Sequence, residues 1–337
     1  MEPPGATLTA KDWKRMHAQH THSSPAPSPQ VWAVGGGKGG VGKSVLSVLF
    51  AMALAERGKE TVVIDADLGG ANLHTFMGIR TPGKTLNEFI SRQYDSLDDV
   101  CIGTEQQGLR IICGANEVLS LANLQYARKT KILQAISKMT AEHVILDLGA
   151  GTGFNTLDFF LSAQRQIVVM TPQPVAIQNA YAFVRNAVYR TLSRATNRRP
   201  ILAEMVNAAM DPKNEMQVRS VDILLERVAD LVDPVDAADL AAHLKPIRPV
   251  LITNMAKEPR EKNASQVIQM VVQKHLMVDA QDGGGVYFDP HINSLVSNME
   301  PLTRIDRGSN AFQSARAIVS HLENGWQPAP DRLRPRR

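Results

Sequence analysis

Twenty residues from Val31 to Phe50, VWAVGGGKGGVGKSVLSVLF, hold the densest chemistry in the chain. Gly37 to Ser44, GKGGVGKS, matches G-x-x-x-x-G-K-[ST] in full, after the strand-like VWAV and before a helical pattern. Gly37, Gly39, Gly40 and Gly42, with Val41 among them, let successive backbone N–H groups turn toward phosphate oxygens, and the helix start adds its dipole. In such a loop Lys43 contacts the β- and γ-phosphates and the Ser44 hydroxyl ligates Mg²⁺. Lys38 is a second lysine where one normally suffices. Two further segments end in carboxylates: VVIDADLGGANL (62–73) with Asp65 and Asp67, and HVILDLGAG (143–151) with Asp147 and Gly149. A carboxylate at the carboxyl end of a strand beside phosphates is placed to act on a metal ion or a water.

The elements that must position these residues alternate. VWAV, then KSVLSVLFAMALAERG, then TVVIDAD read as strand, helix, strand, which is the pattern of a parallel sheet covered by helices. LRIIC (109–113), HVILD (143–147), QIVVMT (166–171) and PVLITN (249–254) have the short, nearly continuous apolar character of buried parallel strands. The expected fold is α/β, a doubly wound, mostly parallel sheet flanked by helices. A helix is expected after QIVVMT, and a helical insertion over about 197–246 before the late strand, because one crossover helix needs far fewer residues. Residues 1–29 contain HAQHTHSSPAPSPQ and read as a flexible leader, its three histidines as part of a solvated tail; residues 326–337, with DRLRPRR, read as a basic disordered tail.

Composition bounds the rest. With 337 residues, 44% hydrophobic and 21% charged, the chain can bury a sizeable core as a soluble protein. A net charge of +4 permits nucleic acid or anionic lipid as a partner without demanding either. Cys101 and Cys113 are too few for a disulfide framework and lack metal-ligand spacing. No apolar run approaches the ~20 residues that span a bilayer. A cytoplasmic protein is expected.

The placement of Lys38 in KGGVGKS resembles the deviant Walker A motif of the ParA/MinD ATPases. The resemblance implies a homodimer formed around ATP and Mg²⁺, with Lys38 reaching the phosphates of the partner's nucleotide while Lys43 serves its own. Charge developing on a transferred phosphoryl group can be stabilised by a cation from another subunit. Asp67 matches the carboxylate that orients the attacking water, Asp147 would hold Mg²⁺ through water, and Gly149 would admit the backbone to the γ-phosphate. Ser44, Asp67 and Asp147 together form the candidate metal set. Asn254 matches the asparagine that reads adenine, with Asn207 as a competing candidate, and Asp289 and Pro290 in VYFDP lie in the loop over the base. IDADLGGANLHTFMG, LDLGAGTGFNTLDFF and TPQPVAIQNAYAFV look most like the FlhG (FleN or YlxH) branch, which sets flagellum number and placement. The leader lacks the DQAxxLR-like motif of that branch, which leaves an FlhF-type partner in doubt.

The resemblance implies a slow ATPase stimulated by a protein partner, at an inner-membrane or polar surface in its ATP state. Two alternatives stay open. A ParA-like protein would bind DNA without sequence preference, through the stripe Arg190, Arg194 and Arg198 with Arg185 and Arg199 nearby. A metabolic enzyme would use ATP on a small substrate. NAFQSARAIVSHLENGW places Phe312, Ala315, Val319 and Leu322 on one face, and internal packing is preferred to a membrane-targeting role for it.

Overall fold

The computed structural model describes residues 28–67, 70–114, 126–211, 218 and 220–324. The leader to residue 27 and the tail from 325 lie outside them. Eight strands form one sheet among the described residues, in the order β3-β4-β2-β5-β1-β6-β7-β8. They are β1 (Gln30–Gly35), β2 (Thr61–Ala66), β3 (Ile102–Gly103), β4 (Leu109–Ile112), β5 (His143–Leu148), β6 (Arg165–Met170), β7 (Pro249–Ala256) and β8 (Gln281–Tyr287). All pairings are parallel except β3 with β4. β1 lies inside the sheet, with β5 and β6 on either side, so the loop that follows it emerges near the point where strand order reverses.

Alternation along each strand divides the core. Val31 and Ala33 enter one apolar cluster, Trp32 and Val34 the other. The second cluster is covered by α1 (Lys43–Glu56) and by α12 (Asn310–Asn324), whose Phe312, Ala315, Val319 and Leu322 are buried. The face that could have lain on lipid is therefore packed inside.

On the opposite side lie α4 (Tyr126–Ile136), α5 (Phe154–Ser162), α6 (Pro174–Thr196) and α10 (Ala264–Leu276). Between α6 and β7 come α7 (Pro200–Met210), α8 (Val221–Leu231) and α9 (Pro234–Leu244), which pack on one another and on α6. This is the stretch expected as a helical insertion. Short helices α2 (Leu73–Phe76), α3 (Leu86–Ile90) and α11 (Pro290–Ser297) complete the described set. No helix among the described residues is long and apolar enough to cross a membrane.

β3 and β8 carry no clear strand pattern in the sequence. β3 has two residues, and β8 reads QDGGGVY, where three glycines hide the apolar signal. The arginine stripe also differs from its sequence reading. Arg190 and Arg194 bind Asp158, Arg199 binds Asp236 and Asp239, and Arg185 donates to the carbonyls of Ala209 and Met210. Helical periodicity placed these cations on one surface but could not reveal carboxylates on other elements. Cys101 adjoins β3 and Cys113 follows β4, both as free thiols; burial pushes them up to about 11 and about 12.

Candidate phosphate-binding site

Strand register assembles the site. Asp65 on β2 stands abreast of Asp147 on β5, which stands abreast of Val34 on β1. Residues abreast in parallel strands project to the same side, so both carboxylates share the carboxyl edge with the loop Gly36–Gly42. Gly42 ends the loop at φ 87°, ψ 26°, and no side chain caps α1. A left-handed residue here turns the chain abruptly into the helix, which leaves the first-turn N–H groups available to an anion. Gly39 and Gly40 are exposed, Gly37 and Ser44 half-buried, and Val41 buried.

Lys43 is 8% exposed, and its Nζ lies 3.4 Å from the carbonyl oxygen of Lys38. Burial lowers its pKa from the ordinary 10.5, opposed by the charges of Asp147 and Asp67. Lys38, in contrast, has an exposed side chain. Asp147 accepts from the Ser44 hydroxyl and, at 3.0 Å, from Ser47 Oγ. Burial pushes Asp147 up to about 6, against the pull of those hydroxyls and Lys43. Ser47 escaped the sequence reading, although its i, i+3 spacing from Ser44 on a helix was a usable signal.

Asp65 clamps the other side of the site. One oxygen accepts from the Asp67 N–H at 3.1 Å and the other from the Leu73 N–H at 2.9 Å. It is fully buried, and burial followed by the charge of Asp147 pushes it up to about 7. Asp67 is half-buried, and its Oδ1 accepts from the Gly70 N–H at 3.1 Å. Gly149 follows β5 so closely beneath Asp67 that a Cβ there would sit 2.8 Å from Asp67 Oδ1. The structure thus brings Lys43, Ser44, Asp67, Asp147 and Gly149 together.

Asn254 is placed by an irregularity. The β7–β8 register shifts on both sides of Thr253, and Met255 has φ 59°, a backbone state a side-chain-bearing residue adopts at a cost. The kink aims Asn254 at the loop, where Nδ2 donates to the Val41 carbonyl at 2.8 Å. This buried brace spans 213 residues of chain and was not foreseen from sequence. Asp289 caps α11 by accepting from the His291 N–H at 2.9 Å, and Pro290 is the first residue of that helix. The preceding Phe288 pairs with the end of β7, donating to Ala256. Asn207 is exposed on α7.

These residues fit a nucleoside triphosphate with Mg²⁺. Ser44 and the Asp147 carboxylate are hard oxygen donors, and Mg²⁺ uses one or two carboxylates plus phosphates and waters. No group of three or more His, Cys, Asp or Glu that could hold a metal occurs among the described residues.

Comparison with known proteins agrees. The ParA family profile, described as "NUBPL iron-transfer P-loop NTPase", matches residues 29–193. The antiactivator FleN of Pseudomonas aeruginosa is 31% identical over 207 residues, 59% of this chain and 72% of FleN. The chain belongs to the ParA family of P-loop NTPases. Within that family, the flagellum site-determining protein YlxH of Helicobacter pylori is 32% identical over 155 residues, 45% of this chain and 52% of YlxH. The septum site-determining protein MinD of Pyrococcus horikoshii, complexed with Mg-ADP, superimposes with a TM-score of 0.59 at 16% identity, covering 88% of this ParA-family chain and 96% of that MinD.

Proposed function

We propose that this ParA-family chain is a dimerising ATPase switch that positions cellular machinery, in the manner implied by the names of its YlxH and MinD relatives. The observation that carries the reading is the division of labour between two lysines. Lys43 is buried over its own carboxylates, whereas Lys38 contributes its backbone carbonyl to Lys43 and leaves its side chain exposed. Lys43 holds the phosphates of its own nucleotide, and Lys38 is free to reach those of a second copy. Ser44 and Asp147 would hold Mg²⁺, which when bound neutralises phosphate charge. Asp67, close over Gly149, orients the attacking water.

Hydrolysis in a single copy is slow on this reading, because one cation of the site comes from elsewhere. A partner protein stimulates it by stabilising the paired state. A bound γ-phosphate would contact the loops that carry Asp67 and Gly149 and order them, so the dimer would form with ATP and release after hydrolysis. Of the arginines considered for DNA, Arg185, Arg190, Arg194 and Arg199 already contact carboxylates or carbonyls of this chain, and we favour a protein or membrane surface over nucleic acid as the localising partner.

Light scattering tests the proposal. In an Asp67→Ala background, which holds ATP without turning it over, the mass should double with ATP and remain monomeric without nucleotide or with ADP. Adding Lys38→Ala should abolish the doubling while leaving ATP bound. A monomer in every state, despite bound ATP, would overturn the switch and leave a small-substrate ATPase as the better reading.

A further inference from the structure

Phe154 opens α5 and is 68% exposed, yet one face of its ring is already covered. The Arg190 guanidinium lies 4.4 Å from the ring centroid. Arg190 is itself fixed by a two-pronged contact with Asp158, at 2.9 and 3.0 Å, one turn along α5 from Phe154. Asp158 is buried and also takes Lys129 from α4 and, at 3.5 Å, Arg194 from α6. Arg190 and Arg194 therefore share a single carboxylate, and the Arg194 side chain is still 53% exposed. Arg198 lies in the turn just past the end of α6 and is also exposed.

This arrangement has the properties of a recognition surface. A large aromatic ring stands open beside arginines whose conformations are already fixed, so a partner would find little rotamer freedom left to freeze. Aromatic and arginine side chains are the types that dominate binding energy at interfaces. The cations outnumber the carboxylate they share, so the patch attracts negative charge. A two-fold dimer that brought this patch against itself would juxtapose like charges, which disfavours a second copy as the occupant.

We propose that the Phe154–Arg190–Arg194 surface docks an acidic segment of another protein, with a bulky apolar side chain on the open side of Phe154 and carboxylates on Arg194 and Arg198. The surface is distinct from the phosphate site, but α5 begins where the loop 149–153 ends, so the docking surface is continuous in backbone with the loop beneath Asp67. Docking itself needs no nucleotide, and its failure is therefore separable from failure of the switch.

The test is fluorescence polarisation with the full-length protein, without nucleotide, against labelled synthetic peptides. One is glutamate-rich with a central leucine, one has alanine in place of that leucine, and one is lysine-rich with the leucine kept. The glutamate–leucine peptide should bind, and Phe154→Ala or loss of the peptide leucine should each weaken it about tenfold without adding to one another. Arg194→Glu should weaken it by a similar factor and create binding to the lysine–leucine peptide. Arg194→Gln, milder at this half-exposed position, should weaken the acidic peptide without that reversal. Absence of binding by the wild-type protein, or equal binding by the Phe154→Ala and Arg194→Glu variants, would overturn the proposal. Loss of the ATP-dependent dimer in Phe154→Ala would likewise overturn it, by assigning the surface to a second copy.

Discussion

The brace between Asn254 and the phosphate loop can be tested by a double-mutant cycle with Gly42. A Cβ on Gly42 would stand 2.2 Å from Asn254 Nδ2, so Gly42→Ala cannot be accommodated while that amide stays on Val41. The substitution should carry two costs. Holding alanine at φ 87° costs about 1–2 kcal/mol. Pushing the amide away strips a buried carbonyl of its donor, which costs about 1–3 kcal/mol. Asn254→Ala should lose the second amount alone. In the double variant the strain remains but the hydrogen bond is lost once rather than twice. The two effects should thus fall short of additivity by the worth of the bond, about 1–3 kcal/mol. Urea unfolding without nucleotide, at unchanged slope, measures all four corners. Additivity within about 0.5 kcal/mol would show that Gly42 and Asn254 do not share the contact, and would refute the brace.

Three further outcomes are expected. Lys43→Met keeps the aliphatic stem but removes the cation between Asp147 and Asp67, and should weaken ATP binding about tenfold to a hundredfold by calorimetry, as charged hydrogen bonds of about 1.5–3 kcal/mol imply. Asp158 is held below its ordinary 3.8: burial alone would raise it, but hydrogen bonds from Arg190 and Lys129 and their charges outweigh that. A depressed carboxylate stabilises the fold above its unfolded pKa, so the stability gap between wild type and Asp158→Asn should be full at neutral pH and shrink as pH falls below about 3.8, read by thermal unfolding. Phe312→Ala, at a fully buried position, should cost about 3–5 kcal/mol in chemical denaturation, whereas a membrane-facing residue would tolerate it.

Legibility in the sequence followed a physical divide. Interior parallel strands such as HVILDL are apolar on both faces, so β5 stands out without any partner being known. The phosphate loop was readable because its backbone chemistry needs glycines at fixed spacing within eight residues. What stayed hidden depends on contacts distant in sequence. The Asn254 brace joins chain ends of the site through one kink in β7, and an asparagine at a strand end looks the same with or without it. The partners of the arginine stripe stayed hidden for a similar reason: spacing fixes which face of α6 a side chain leaves from, and Asp158 on α5 decides whom Arg190 and Arg194 meet. Asp65 was read as ending a strand, when both its oxygens hold the loop that carries Asp67.

The two margins of the sheet bear on how copies can meet. β3 is two residues long and runs against its neighbour, while β8 has Gly283 to Gly285 at its centre and an irregular register with β7. Neither offers a long, flat row of unpaired backbone groups on which another chain could extend the ladder. Growth into fibres by strand addition is thereby discouraged at both ends. On the proposed switch, a second copy would therefore meet the chain through surfaces other than these two sheet edges.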